Sequence, residues 1–283
     1  MKTAVVTDST AFISDNLRNH PDLFMISIPV ILDGKIYSEG VDVEDEAEFY
    51  QLLKKSKELP TTSQPSIGEV LELYKNLAEK GYERVICIHL SSGISGFVTN
   101  LISMAPGIEE IEVVAFDSKI TSMPMGHMVA TTLNMLDQKA DIDEILTKLE
   151  LIREHTRAYL IVDDLNHLVR GGRLKNGAAV IGSLLKIKPI LKFDDGAIVL
   201  SEKIRSSKKA YARSEDMVVK HHKKSKMDFK YFIIHANNAP IAELEKLKLE
   251  EKIPGIKVEV GTLGPVVGTH VGEKTVAFAW SPQ

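Results

Sequence analysis

The amino-acid sequence predicts an α/β fold made of two α/β domains. In the first half of the chain, short apolar strands alternate with amphipathic helices, and a strand such as Thr3–Val6 ends in a polar turn, here Thr7–Thr10. This alternation favours a parallel sheet covered by helices. In the second half, an Asp-Gly turn at Asp194–Gly196 separates two apolar runs and predicts a β-hairpin. With 283 residues, the chain is long enough for two hydrophobic cores.

Spacing and capping signals predict the elements of the first half. The segment from Ser66 to Lys80 carries apolar residues at helical spacing, and Ser66 is able to cap this helix. Asp141 opens a later helix, and Glu144 three residues further on predicts a capping box. The other predicted elements are strands at Arg84–Leu90, Glu112–Phe116 and Tyr159–Val162 and a methionine-rich helix from about Ser122 to Leu136.

The second half has a different organisation, with the hairpin first and a mixture of strands and helices after it. We place a domain boundary between residues 1–160 and 161–283, and we expect that the chain crosses it more than once. The elements predicted after the hairpin are helices at Ser206–Lys223 and Ala242–Glu251 and strands at Tyr231–His235, Val258–Val260 and Val276–Trp280.

Composition excludes several functional classes. The formal net charge of −4 argues against a nucleic-acid-binding protein, which is usually basic. The single cysteine, Cys87, lies in an apolar strand and excludes an internal disulfide. No apolar run approaches 18 residues and no signal segment is present, so we expect a cytoplasmic protein without stable membrane insertion. The sequence has no metal-binding spacing, Walker A loop or dinucleotide fingerprint, so we expect no metal and no cofactor.

Two hydroxyl-rich turns are the strongest functional signals. Thr61-Thr62-Ser63-Gln64-Pro65-Ser66 and Ser91-Ser92-Gly93-Ile94-Ser95-Gly96 each precede a predicted helix. Free backbone N–H groups and hydroxyls at a helix start bind anions such as carboxylate or phosphate. A polar loop without a ligand is the alternative for each turn, but two such turns in one chain favour a shared pocket.

The turn at Ser95 also invites a hydrolase interpretation. Gly93-Ile94-Ser95-Gly96 nearly matches the G-x-S-x-G nucleophile elbow, but Phe97 stands where the motif needs glycine. An esterase or thioesterase would use Ser95 with His270 and Asp8. A lipid-sensing regulatory protein is a third hypothesis.

Two further segments carry candidate binding residues. His270 lies in a glycine-rich segment, Gly261–Gly272, that we expect to be a loop in which the backbone can approach a ligand. Arg170 and Arg173 flank a glycine pair, and arginine suits phosphate or carboxylate; an exposed basic turn is the alternative. The apolar stretch Ala178–Leu185 predicts either a core helix or the wall of an apolar cavity.

Taken together, these motifs resemble the DegV family, in the same order along the chain. The matching segments are Val5–Thr10, Pro60–Pro65, Leu90–Gly96, Arg170–Arg173 and Gly264–His270. Within that family the chain is most similar to the fatty-acid-binding subunits of the bacterial two-component fatty acid kinase. One departure is a shortened glycine-rich run after the histidine, at Gly272-Glu273-Lys274.

The resemblance implies a tunnel between the two α/β domains that holds one long-chain fatty acid. It implies that Thr62 and Ser95 bind the carboxylate, with Ser63, Ser92 and His270 beside it. It also implies that a separate ATP-dependent kinase subunit docks at the tunnel mouth and phosphorylates the carboxylate, and that the acyl phosphate feeds phospholipid synthesis. The basic positions expected near that mouth are Arg170, Arg173 and Arg205. We therefore expect a substrate-carrying subunit with no catalytic residue of its own.

Overall fold

The computed structural model describes residues 1–39, 42, 46–177, 179 and 187–283. The strands are β1 (Thr3–Asp8), β2 (Leu23–Ile26), β3 (Pro29–Leu32), β4 (Lys35–Ser38), β5 (Thr61–Thr62), β6 (Arg84–His89), β7 (Glu112–Asp117), β8 (Arg157–Ile161), β9 (Lys188–Asp194), β10 (Ala197–Ile204), β11 (Phe229–His235), β12 (Val258–Thr262) and β13 (Val276–Pro282). The helices are α1 (Asp15–Arg18), α2 (Glu46–Lys55), α3 (Ile67–Glu79), α4 (Phe97–Met104), α5 (Ser122–Asp137), α6 (Ile142–His155), α7 (Asn166–Arg170), α8 (Ser207–Lys224), α9 (Ala239–Lys252) and α10 (Pro265–Val271).

The first sheet is parallel, as the alternation of strands and helices predicts. Its strand order is β2-β1-β6-β7, and every neighbouring pair is parallel. Ala4, Val6, Val85 and Cys87 pack on one face with buried residues of α3 and α4. The order reverses direction between β1 and β6, and ligands of open α/β sheets bind at the carboxyl ends of strands at such a point.

The second sheet is mixed and has six strands in the order β10-β9-β8-β13-β11-β12. Alternating residues of its strands face opposite sides, as the pleat requires. One face packs against α8 and α9, and its apolar residues include Ile161, Ile233 and Phe278. The other face, with Leu160 and Ile234, turns toward the first sheet.

Several predicted elements are confirmed and others were missed. The hairpin of β9 and β10 turns at Asp195 and Gly196, both of which have positive φ. Asp141 and Glu144 form the predicted capping box. Ser66 does stand at the start of α3, but its hydroxyl makes no capping hydrogen bond, contrary to our expectation. The small antiparallel sheet β4-β3-β5 and helix α2 had no sequence prediction.

The α/β fold class is confirmed, whereas the domain boundary between residues 160 and 161 stays a prediction. The apolar stretch Ala178–Leu185 lies largely outside the described residues: of its positions only residue 179 is described. Within the part of the chain that the structure describes, no helix is long and apolar enough to cross a membrane.

Candidate functional site

An apolar cavity of about 270 Å³ lies where the carboxyl ends of the first sheet meet the inner face of the second. The segments that follow the strands of the first sheet, the second sheet and the small sheet all contribute to it, so no single element could form it alone. Its apolar lining comprises Ile28, Leu90, Ile94, Ile120, Pro124, Ala158, Leu160, Leu168, Phe193, Ile198, Ile234, Leu263, Val266, Val267, Val271 and Ala277. Such a lining excludes water and suits a hydrocarbon chain.

The polar lining of the cavity comes mainly from the motifs that the sequence singled out. Thr62 reaches it from β5, Ser63 from directly after that strand, Ser95 from the turn before α4, and His270 from α10. Ser63 is exposed and Ser95 half-buried, so this part of the lining reaches the protein surface. A ligand with an apolar chain and one polar end would therefore bury its chain and keep its polar end accessible.

His270 and Thr62 share a hydrogen bond, with 2.8 Å between Nε2 of the imidazole and Oγ1 of the hydroxyl. Burial of the ring, assisted by the nearby positive charge of Arg173, lowers the pKa of His270 to about 4. The imidazole is consequently neutral near pH 7. It orients the threonine hydroxyl and brings no charge of its own to a bound anion.

Buried charge and backbone hydrogen bonds hold the turn that carries Ser95. Asp8, at the end of β1, accepts hydrogen bonds from the backbone N–H of Leu90 at 2.9 Å and binds Nδ1 of His89 at 3.0 Å. Both side chains are fully buried. The Ser95 N–H then donates to the Ser91 carbonyl at 3.0 Å. Asp8 thus fixes the end of β6 from which the hydroxyl turn starts.

The segment around His270 is not the loop that its glycines suggested. Pro265–Val271 forms α10, with Pro265 in its first turn. Gly268 is required by close packing instead of by backbone freedom: a Cβ at this position would collide with the Tyr50 hydroxyl and approach the Phe49 ring. The prediction of a loop was wrong because the short side chains that resemble a flexible segment here allow a helix to pack against α2.

Three basic residues were expected at the cavity mouth, and the structure brings one of them to the cavity. Arg173 lines it, and burial lowers the pKa of its guanidinium. Its Nη1 donates to the Gly171 carbonyl at 2.5 Å. Arg170 and Arg205 are exposed and do not line the cavity. Among the described lining residues, Arg173 is the permanent positive charge.

Ser92, expected beside the carboxylate, points elsewhere. It is exposed, does not line the cavity, and its hydroxyl donates to Oδ2 of Asp117 at 2.5 Å. Ser91, which carries no prediction of its own, is fully buried and donates to the Gly196 carbonyl at 2.7 Å. The sequence could not separate the two serines, because neighbouring residues of a turn point in different directions that depend on its backbone.

The arrangement does not support a serine hydrolase. Ser95 Oγ accepts a hydrogen bond from the Phe97 N–H at 3.3 Å, while Nε2 of His270 is engaged by Thr62. Asp8, the third residue of that hypothesis, pairs with His89. Nucleophilic catalysis needs the hydroxyl, a base and an orienting carboxylate in one chain of hydrogen bonds, and these three residues do not form one.

Several lining residues escaped the sequence analysis. Gln64 accepts a hydrogen bond from Asn100 at 3.0 Å and so joins the first hydroxyl turn to α4, the helix that follows the second turn. Phe193 and Ile198 come from the hairpin, and Thr121 comes from the start of α5. A Pro-flanked amide in a hydroxyl-rich loop could have marked Gln64, but the hairpin residues carry no signal beyond being apolar. Among the described residues, no group of three or more potential metal ligands occurs.

The fold and the site define an α/β protein in which two sheets enclose an apolar cavity with a polar end. The chain belongs to the DegV family: residues 2–283 match the family model described as "Uncharacterised protein, DegV family". The DegV domain-containing protein lmo2514 of Listeria monocytogenes is 42% identical over 280 residues, which cover 99% of this chain and 98% of that protein.

Two solved structures of the family superpose closely on the whole chain. The fatty acid binding DegV family protein SAG1342 from Streptococcus agalactiae has a TM-score of 0.94 and 38% identity, covering 100% of this chain and 99% of that one. DegV, a fatty acid binding protein from Bacillus subtilis, has a TM-score of 0.90 and 39% identity, covering 100% of both chains.

Proposed function

We propose that this protein binds a long-chain fatty acid in the cavity and presents its carboxylate to a partner kinase for acyl-phosphate formation. The observation that carries the proposal is the cavity itself, apolar over most of its lining and polar where Ser63 and Ser95 reach the surface. Two relatives of closely similar structure are described as fatty acid binding proteins. Neither description names a kinase, so that part rests on chemistry and on the family resemblance.

The carboxylate would be held by hydroxyls and one guanidinium. Thr62 and Ser95 donate hydrogen bonds to it, Ser63 stands beside them, and Arg173 supplies the compensating charge. Neutral His270 fixes the Thr62 hydroxyl. Because hydrogen bonds to a charged group contribute about 1.5–3 kcal/mol each, loss of one hydroxyl should weaken binding without removing it.

Apolar burial supplies the affinity and creates the need for a partner. Each buried CH₂ contributes about 0.8 kcal/mol, so a chain of about sixteen carbons gains roughly 12 kcal/mol before ordering costs are subtracted. A ligand held this strongly is released slowly into water. It is therefore modified in place, by an enzyme that reaches the exposed polar end.

The ATP chemistry then belongs to a kinase subunit, because the sequence carries no phosphate-binding loop for a nucleotide. Arg170 and Arg205, exposed and outside the cavity, are candidates for docking that subunit or its phosphate. The acyl phosphate would feed exogenous fatty acid into phospholipid synthesis in the cytoplasm, where ATP is available.

Native mass spectrometry of the freshly purified protein tests the binding step. A bound mass that solvent extraction identifies as a long-chain fatty acid, at near-full occupancy, is the expected result. A ligand-free protein that also takes up no added fatty acid would disprove the proposal.

The kinase step needs a second assay. The loaded protein is incubated with ATP and a candidate kinase from the source organism, and acyl phosphate is trapped with hydroxylamine as the hydroxamate. Hydroxamate should form only when protein, kinase and ATP are all present. If the protein binds fatty acid stably but no such kinase produces hydroxamate, the role as a kinase subunit is refuted. The protein would then be a fatty-acid carrier or sensor.

A further inference from the structure

We propose that the hairpin of β9 and β10 is a gate that closes a second opening of the cavity, through which the fatty acid exchanges. This inference rests on the proposed fatty-acid binding, and it identifies the hairpin as the part of the protein that moves when the ligand exchanges. The hairpin supplies Phe193 and Ile198 to the cavity lining. Displacement of the hairpin would therefore remove part of the cavity wall.

A cleft of about 570 Å³ lies on the other side of that wall. Ile120, Ala158 and Phe193 line both the cavity and this cleft, so side chains of these three residues separate the two spaces. Phe193 belongs to the hairpin, and it is the bulkiest of the three. If the hairpin moves outward, the cavity opens directly into the cleft.

The tip of the hairpin is held by three contacts to the first half of the chain. The Ser91 hydroxyl donates to the Gly196 carbonyl at 2.7 Å, and Asp195 forms an ion pair with Lys119. The turn also lies directly on Gly93, where a Cβ would collide with the backbone of Gly196. The ion pair is exposed and adds little, so the buried hydrogen bond from Ser91 is the principal polar contact that holds the tip.

The hairpin lies where the sheet can deform. β10 is the edge strand, and its pairing with β9 shifts register between Leu200 and Glu202. Such a bulge bends the strand and interrupts its ladder of hydrogen bonds. On its outer side, β10 receives one backbone hydrogen bond within the described chain, from Lys175 N–H to the Ile198 carbonyl at 2.9 Å. Among the other strands that line the cavity, β8, β11 and β13 have paired neighbours on both sides, whereas β5 is an edge strand of the small sheet and carries Thr62.

The outer cleft has a small excess of positive charge: Lys119, Arg153, Arg157 and Lys192 line it together with the carboxylates of Glu154, Asp194 and Asp195. Arg157 uses its guanidinium on backbone carbonyls, at 2.7 Å to Glu154 and to Thr156, and Arg153 binds the Asp117 carbonyl at 3.2 Å. Opening of the gate would also free Lys119 from Asp195. The cleft would then present cations to the carboxylate of a fatty acid, beside an exposed apolar wall.

A reversible cross-link tests the gate. In the full chain, Lys119→Cys and Asp195→Cys are joined by a short bis-methanethiosulfonate that dithiothreitol cleaves. Cys87 does not interfere, because it is buried and burial raises the pKa of its thiol to about 12. The matched control joins Glu202→Cys to Arg213→Cys, an ion pair beyond the bulge of the same hairpin. Exchange of bound deuterated palmitate for unlabelled palmitate is followed by native mass spectrometry.

The tip cross-link should slow exchange by at least about tenfold, and reduction should restore the uncross-linked rate. The control cross-link should leave the rate unchanged. Equal exchange with and without the tip cross-link would overturn the gate while leaving fatty-acid binding intact. A wild-type protein that takes up no palmitate would instead refute the binding function, and the gate with it.

Discussion

The hydroxyl of Thr62 and the imidazole of His270 lie 2.8 Å apart although 208 positions of the chain separate them. This hydrogen bond joins the small sheet to α10, and it places a neutral histidine behind the threonine that we assign to the carboxylate. The site is therefore assembled by contacts between distant segments, and most of its predicted properties depend on how these segments are held together.

Replacement of Thr62 by valine should weaken fatty-acid binding by about 10- to 100-fold, because one hydrogen bond to a charged group is lost. Valine keeps the strand preference of threonine but leaves Nε2 of the buried His270 without its partner, so the thermal midpoint should fall by a few degrees while the protein stays folded. Titration calorimetry with palmitate and thermal denaturation check both parts. Thr61→Val, at the exposed neighbouring position of β5, is the matched control. Equal affinity in the two variants would contradict the assignment.

We expect Arg173 and Arg170 to have different roles. Arg173→Gln removes the positive charge at the cavity, so retention of palmitate should fall, whereas Arg170→Gln changes an exposed side chain and should leave retention intact. If Arg170 docks the kinase, that variant should instead lower hydroxamate formation from the loaded protein. The reverse pattern would show that our placement of the carboxylate is wrong.

His270 should make the protein lose stability in mild acid. The pKa is lowered to about 4 in the folded state, from about 6.5 in the unfolded chain. The unfolded state thus binds the proton more readily, and stability falls as the pH drops from about 6.5 toward 4. At pH 5 this amounts to about 2 kcal/mol.

The measurement is the free energy of unfolding by urea at pH 7 and pH 5. The His270→Gln variant should lose less stability over this interval than the wild type. His222→Gln, which changes an exposed histidine, should lose as much as the wild type. An identical loss in all three proteins would remove His270 as the cause.

Ionisation of Glu39 should make the protein lose stability as the pH rises, which is the opposite of the pH dependence caused by His270. Burial raises the pKa of its carboxyl to about 8, and its Oε1 accepts a hydrogen bond from the Val266 N–H at 3.4 Å, at the start of α10. A raised pKa gives stability that is complete below the unfolded value near 4.3 and is lost as the pH rises through 8.

For the Glu39→Gln variant we therefore expect a flatter stability profile between pH 5 and pH 8.5, since glutamine does not ionise. Urea unfolding at intervals of half a pH unit gives the profile, and Glu48→Gln, at an exposed position of α2, is the control. A Glu39→Gln profile with the same slope as that of the wild type between pH 6.5 and pH 8.5 would contradict the prediction.

Alanine at Gly268 should destabilise the protein and disturb the site together. The added Cβ would push against Tyr50 and Phe49, and overpacking of this kind costs about 1–3 kcal/mol. α10 would have to shift, and His270 with it, so affinity for palmitate should fall as well. Gly107→Ala, where a Cβ meets nothing within 4 Å, should change neither property. Normal affinity in a destabilised Gly268→Ala protein would show that the helix position does not control the site.

Short sequence patterns predicted those elements that are determined by residues adjacent in the chain. The Asp-Gly turn between β9 and β10 requires positive φ at two residues, and the chain places an Asp and a Gly there. The capping box of Asp141 and Glu144 is likewise contained within four residues. The small sheet and α2 were missed because their pairing and packing partners lie elsewhere in the chain.

In the candidate site, too, some residues follow from sequence patterns and others depend on the folded structure. Local patterns indicated the two hydroxyl-rich turns and the histidine among glycines, and the resemblance to the DegV family then selected Thr62, Ser63, Ser95 and His270 within them. It treated Ser92 as equivalent to its neighbours, and the structure turns that hydroxyl to Asp117 instead. The direction of a side chain in a turn depends on backbone dihedral angles that residue types alone do not fix.

By itself, the sequence determined the α/β class, the polar turns at the strand ends and the family, since these follow from periodicity, turn chemistry and motif order. The tertiary structure decided that these turns share one cavity, that α10 is a helix, that His270 is neutral, and that a hairpin from the second sheet closes the cavity wall. Each of these depends on burial and on contacts between residues far apart in the chain. The desolvation and packing energies of such contacts depend on the folded structure, so a short sequence pattern cannot predict them.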